Sequence, residues 1–427
     1  MTMTVAGQPH FNIPNLVFDN RTAFAASQFD MVDQFGEAFH VVVARMAYTL
    51  GPCGADGMAS LLPASLPAPL LTEDRHLDGD TEAGSLQESD FAPYKPRCDV
   101  IVNGAAHAPL GLAMAQFAVN LSVISAGKTV IDKTLQVCGE RYFRRKGLIK
   151  RVVQGSADIA TLGLLSPNPW RLSTPEKFTQ LPLQYAYAFG GQCRIEAAER
   201  TRHDSCQTNP LGRGFARQWY LDAIQATELP APRICYPTQP STAEQFWQGA
   251  AGKDLPLPAG LAPIGRGWLP RRLLAGSIEE KEQWDKEEVP MLPEDFDFAY
   301  WNCTPPDQQC PHLAGQEQFV LTNLCRHNHP SARADRIGNT VLRFALPEQA
   351  LFLLLADRDD KLLVLRLAID TVVIDPDANK VELIWRALLP ADAGQVAARL
   401  MHVTQPEQIA RVALLEQAQE ALAAEAP

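Results

Sequence analysis

Hydrophobic and polar positions alternate most clearly in three stretches of the chain. His40 to Leu50 reads HVVVARMAYTL, with Val41, Val43 and Arg45 on one face and Val42, Ala44 and Met46 on the other, and its β-branched density predicts a strand. Val119, Leu121 and Val123 alternate with Asn120 and Ser122, and the Ser125-Ala-Gly-Lys128 turn leads into a second strand over Thr129–Val137. From Asn339 to Leu389, at least four β-rich runs are separated by RDDK and DPDANK, turn chemistry short enough to demand antiparallel neighbours. Tyr185, Tyr187 and Phe189 fall at period two and predict a sheet face lined by rings.

Helical periodicity is scarce. Ile409, Val412, Leu415 and Leu422 mark one face of a C-terminal helix ending near Ala424, with Thr404–Glu407 as a capping box around Pro406. Ser277–Glu288 has room for one more helix, capped by Ser277. Gly51 to Pro96 is rich in breakers and low in aromatics, which predicts a long surface excursion before order returns at Asp99. These patterns predict a mainly β fold of two sandwich-like or barrel-like antiparallel lobes, with few helices, one of them C-terminal. Three segments follow: an N-terminal β-rich lobe over 12–191 with its excursion at 51–96, a Pro/aromatic connecting region over 192–338, and C-terminal strands and helix over 339–427.

The connecting region contains the least ordinary stretch, Leu261 to Gln308. Prolines at 263, 270, 290, 293, 305 and 306 remove backbone donors and fix φ, so the segment must run as extended pieces and turns. Trp268, Trp284, Phe296 and Trp301 are too large and apolar to remain in water without cost, and with Arg271 they read as a structural clasp docked on a sheet.

The phrases APIGRGWLPRRLLAGS and VPMLPEDFDFAYWNCTPPDQ, with NPLGRGF, YAFGG, SLQESDFAPYKPRCDVIVNG and KTLQVCGERYF, make the chain resemble a bacterial family. That family is catalogued as domain of unknown function 2169 and is associated with type VI secretion systems. The resemblance covers roughly residues 12 to 347. It implies a cytoplasmic, non-enzymatic adaptor or chaperone that binds a type VI effector protein and helps load it onto the VgrG spike or its PAAR tip protein. It implies no catalytic residues and no cofactor, and it leaves the partner-binding residues unknown.

Composition narrows the alternatives. A net charge of −11 over 427 residues lacks the basic field that nucleic-acid binding needs. Apolar runs such as LFLLLA fall far short of the roughly 20 residues of a membrane helix. The N-terminus lacks the basic and apolar regions of a secretory signal, and nine cysteines, an odd number, suit a reducing compartment; a cytoplasmic protein is expected.

Two constellations could carry chemistry. Cys303, Cys310, His312, Cys325, His327 and His329 supply enough soft and borderline ligands for zinc, although no C-x-x-C pair occurs. On a strand, Cys325, His327 and His329 would share one face. The buried-thiol reading competes with the metal reading at every cysteine. Glu294, Asp295, Asp297 and Asp307 beside Arg271 and Arg272 resemble the paired carboxylates of a glycosidase, but the nearby prolines create turns that such residues ordinarily cap. A metal-dependent or glycoside hydrolase, or a carbohydrate-binding β module, therefore stands as the alternative to the adaptor.

Overall fold

The structure is a computed structural model that describes residues 13–65, 68–81, 83–146, 168–196, 201–253, 255–277, 292–359 and 361–425. The fold is mainly β, with a C-terminal helix, as the alternation along the chain predicts. Its centre is a 13-stranded sheet curled into a half-barrel.

Ala38–Cys53 is the sheet's central strand, and it extends the predicted run at both ends. Val41, Val42, Val43 and Ala44 are all buried, so both faces of the strand are covered over that stretch. One neighbour is Lys380–Pro390, paired antiparallel from Thr49↔Lys380 to Phe39↔Pro390. Beyond it lie Ala368–Asp375 and then Cys98–Val102, the last pair parallel. On the other flank Ala59–Pro63 leads through Thr340–Ala345 and Gln318–Thr322 to the hairpin Gln116–Ser125 and Lys128–Cys138. That hairpin turns at Ala126 and Gly127, both at positive φ, as the Ser-Ala-Gly-Lys sequence predicts. Strands from the first and last of the expected segments thus lie side by side.

A second, four-stranded sheet joins Val17–Asn20, Gln395–Val403, Ala350–Asp357 and Leu362–Arg366. The Gln395–Val403 strand is not visible in the sequence, because its alanines favour helix over strand until pairing with Ala350–Asp357 overrides them. The helix Pro406–Glu425 packs beside this sheet. Its cap falls one residue later than Thr404: the Gln405 carbonyl accepts from Gln408 and Ile409 N–H at 2.9 and 3.0 Å. The expected apolar face is also displaced. Val412 is buried, yet Leu415 is 53 % exposed; Leu422's side chain lies outside the described set. Glu416 and Gln419 face the sheet instead, accepting N–H donors of Arg366 at 2.7 Å and Val364 at 3.0 Å. The helix therefore closes the open edge of Leu362–Arg366 with polar side chains.

Three further readings are corrected. Tyr185–Tyr187 is a 3-10 turn and not a strand, because Asn209 Nδ2 bonds the carbonyls of both Tyr185 and Phe189 at 2.9 Å and holds the segment bent. The 51–96 stretch is not a surface excursion throughout. Ala59–Pro63 enters the main sheet, Arg75–His76 pairs with Ser85–Gln87, and Glu88, Asp90 and Lys95 are buried. Those charges are held inside by ion pairs: the remote Arg45 for Asp90 at 2.8 Å, and the nearby Asp99 for Lys95 at 2.9 Å. The proline-rich clasp also contains a short helix at Leu269–Arg272, with Pro270 in its first turn where no amide donor is needed. The helix expected over Ser277–Glu288, and Trp284 with it, falls on residues outside the described set beyond Ser277.

Candidate partner-binding surface

Asn323 ends the strand Gln318–Thr322 by taking φ 59°, the left-handed region that asparagine tolerates better than most residues. Its side chain is buried and ties three segments together. Nδ2 donates to the Ala118 carbonyl and to Asn339 Oδ1, both at 3.0 Å, and Oδ1 accepts Thr340 N–H at 3.0 Å. Its own carbonyl accepts His107 N–H at 2.9 Å. The strand Ala105–His107, the hairpin Ala332–Ala334 to Thr340–Ala345 and the loop after Thr322 are thereby brought to one place.

Two turns project from that hub. Pro109–Gly111 forms a single 3-10 turn in which Leu110 adopts φ 55°, a strained conformation for leucine, while remaining 53 % exposed. Leu112 and Met114 follow, 62 % and 38 % exposed. At the hairpin tip, Asp335 Oδ1 accepts the N–H groups of Ile337 and Asn339, each at 2.9 Å, and Ile337 is left 82 % exposed. The turns adjoin: a Cβ on Gly338 would lie 3.0 Å from Leu110 Cγ, and one on Gly111 would lie 2.7 Å from the His327 ring. Glycine is required at both, since each also has positive φ. The sequence carries little sign of this surface: Ala-Pro-Leu-Gly-Leu-Ala-Met is legible only as a turn that is apolar where loops are ordinarily polar.

Beneath it, His107 Nε2 lies 3.1 Å from Asp377, and His329 Nε2 bonds the Pro376 carbonyl at 3.0 Å. Burial opposes ionisation of Asp377, but His107 and Arg326 outweigh it and keep the carboxyl below its ordinary range. Burial lowers the His329 imidazole.

The six Cys and His candidates do not converge. Cys303 Sγ lies 3.7 Å from Asp99, Cys310 sits opposite Cys98 in a strand pair, and His312 Nε2 bonds the Lys95 carbonyl at 2.7 Å. Cys325, His327 and His329 instead occupy turns after Asn323, so they do not share a strand face; Cys325 and His329 are buried and His327 is exposed. Burial pushes the thiol of Cys303 well up and that of Cys325 to about 12. Among the described residues no three His, Cys, Asp or Glu side chains are grouped to hold a metal ion.

The clasp converges. Arg271 is buried and forks onto both Glu88 oxygens while donating to the carbonyls of Ile264 and Tyr300. Phe296 is buried with ring neighbours Phe298 at 5.3 Å and Tyr300 at 5.7 Å. Trp268 is half-buried, edge-on to Tyr185 at 5.1 Å, and Trp301 is half-buried beside Tyr300. A cleft of about 370 Å³ beside the clasp is lined by Asp74, His76, Glu88, Arg266 and Trp268. Its charges are matched to one another, Arg266 lying 3.0 Å from Asp74 and 3.3 Å from Glu88. The acidic set is dispersed: Asp295 accepts Ser277 N–H, Asp297 caps Ala299, and Asp307 meets Lys133 and Tyr236.

No helix among the described residues is long and apolar enough to cross a membrane. Comparison with curated proteins and with solved structures found no match. A family model does match, over residues 36–386, most of the chain and all of the main elements around the surface and the clasp. The chain belongs to the bacterial family DUF2169, described as an uncharacterized protein conserved in bacteria.

Proposed function

We propose that the protein is a non-enzymatic adaptor that binds a type VI secretion effector in the cytoplasm and delivers it to the VgrG spike or its tip protein. The observation that carries the binding reading is the contrast between two sets of side chains. Four of the candidate chemical side chains are engaged in structural bonds: Asp295 and Asp297 cap turns, and His312 and His329 hold carbonyls. Large apolar side chains at Leu110, Leu112 and Ile337 are presented to solvent on braced turns, which suits recognition of another protein. The secretion assignment is supported by the sequence resemblance to a family associated with that system.

Co-expression with the effector and spike-tip proteins encoded beside its gene, followed by size-exclusion chromatography, tests this reading. A co-eluting complex is expected, together with reduced effector solubility or secretion when the adaptor is deleted. Separate elution combined with normal secretion in the deletion strain would refute it.

A further inference from the structure

We propose that the cavity beside the hairpin of Arg75–His76 and Ser85–Gln87 binds an aromatic ring that carries one hydrogen-bond donor, a phenol or an indole. This site is separate from the exposed turns and stands whether or not the adaptor reading does. Its volume is about 210 Å³, and it backs onto the clasp cleft, sharing Gly84 and Ser85 with it. Leu77, Leu86, Val102, Leu183, Tyr185 and Ala262 make up most of its wall, and the exposed Arg75 marks where it opens to solvent. Drug-sized and cofactor sites begin at roughly 300 Å³, so this one suits a single ring.

Asn103 decides the chemistry. It lines the cavity and is 7 % exposed. Its Nδ2 donates to the Leu86 carbonyl at 3.0 Å, which fixes the way the amide faces, and its backbone N–H donates to the Ile374 carbonyl at 2.9 Å. Oδ1 is buried and has no partner among the described residues. An amide oxygen can only accept, and a buried acceptor left unpaired is costly, so a ligand gains most by bringing a donor to it. Asp375 on the same wall already accepts the Ala378 N–H at 2.9 Å. Ser85 Oγ, also buried without a partner, can donate as readily as accept and makes no second demand. A polyhydroxylated ligand would bury further polar atoms unpaired against the leucines. A phenol or an indole combines a flat apolar body with one donor at its edge, which is what this wall can satisfy.

The test titrates the full chain with p-cresol and indole, and with toluene, which has the shape of p-cresol without its hydroxyl. The two donor-bearing rings are expected to bind more tightly than toluene by about tenfold or more, the factor that one satisfied buried acceptor supplies. NMR of protein labelled at its asparagine amides reads the contact directly: the Asn103 side-chain signal should move with p-cresol and not with toluene. Asn103→Leu should abolish the preference while toluene still binds. Gly84→Leu places a side chain on the cavity wall, where no atom lies within 4 Å of a Cβ, and should weaken all three ligands without altering Asn103. Unchanged melting temperatures establish that the variants fold, and if Asn103→Leu does not, the labelled wild type and Gly84→Leu still decide. N-acetyl-tyrosinamide separates the sources of the ring. Binding as tight as that of p-cresol assigns it to a polypeptide, and exclusion of the amide while p-cresol binds assigns it to a free small molecule. Equal affinities for p-cresol and toluene would overturn the role of Asn103. Failure of every ring to bind, or binding undiminished in Gly84→Leu, would overturn the site.

Discussion

Lys133 Nζ lies 2.8 Å from Asp307 Oδ1 and 3.0 Å from Gln308 Oε1, buried while its aspartate partner stays partly exposed. Burial lowers the ammonium to about 8 despite the opposing effect of Asp307. Between that value and its ordinary 10.5 the unfolded chain binds more protons than the folded one, so the contribution of Lys133 to stability rises with pH across this window. Urea midpoints for wild type and Lys133→Met should therefore diverge in favour of wild type from pH 8 to pH 10.5. A constant difference would show that this lysine titrates normally.

Removing Arg271 strands Glu88 in the interior without its fork. Arg271→Ala is expected to destabilise by about 3 to 5 kcal/mol, and Arg271→Met combined with Glu88→Leu by much less, because the pair is then removed as a unit. Chemical denaturation of both variants checks this; equal losses would refute it.

At Asn323 side-chain bonding and backbone conformation can be separated. Asn323→Gly and Asn323→Ala both lose the bonds to Ala118, Asn339 and Thr340. Alanine alone is strained at φ 59°, so it should be less stable than glycine by about 1 kcal/mol. Thermal melting would rank the two, and the reverse order would contradict the account.

Aromatic truncation should separate core from clasp. Phe319 and Phe344 are fully buried and stacked at 5.1 Å, so Phe319→Ala is expected to cost about 3 to 5 kcal/mol. Trp268 is half-buried, and Trp268→Ala should cost less, about 2 kcal/mol. Equal denaturation midpoints would refute the distinction.

Strand content was legible wherever local alternation and turn chemistry agreed, as at Val119–Val123 and around Ala126-Gly127. It failed where a remote partner decides the outcome. Asn209 bends Tyr185–Phe189, and Arg45 draws Asp90 inward from a breaker-rich stretch. The clasp was legible through its large rings and Arg271, but nothing local identifies Glu88 as the partner of that arginine. The candidate surface was illegible for a related reason. The turns of Leu110 and Gly338 meet because Asn323 joins their segments, and an isolated leucine or isoleucine in a loop has no pattern to mark it.

The pairing of Ala38–Cys53 with Lys380–Pro390 has a consequence for synthesis. During translation the central strand emerges more than 300 residues before its partner, as the 337-residue separation of Arg45 and Glu382 shows. At ribosomal rates of about 5 to 20 residues per second, that delay is roughly 20 to 70 seconds. Throughout it a β-branched, apolar strand has an unpaired edge, so the nascent chain is most open to mispairing before its own last strands arrive, and holding factors at the ribosome would act on Ala38–Cys53 first.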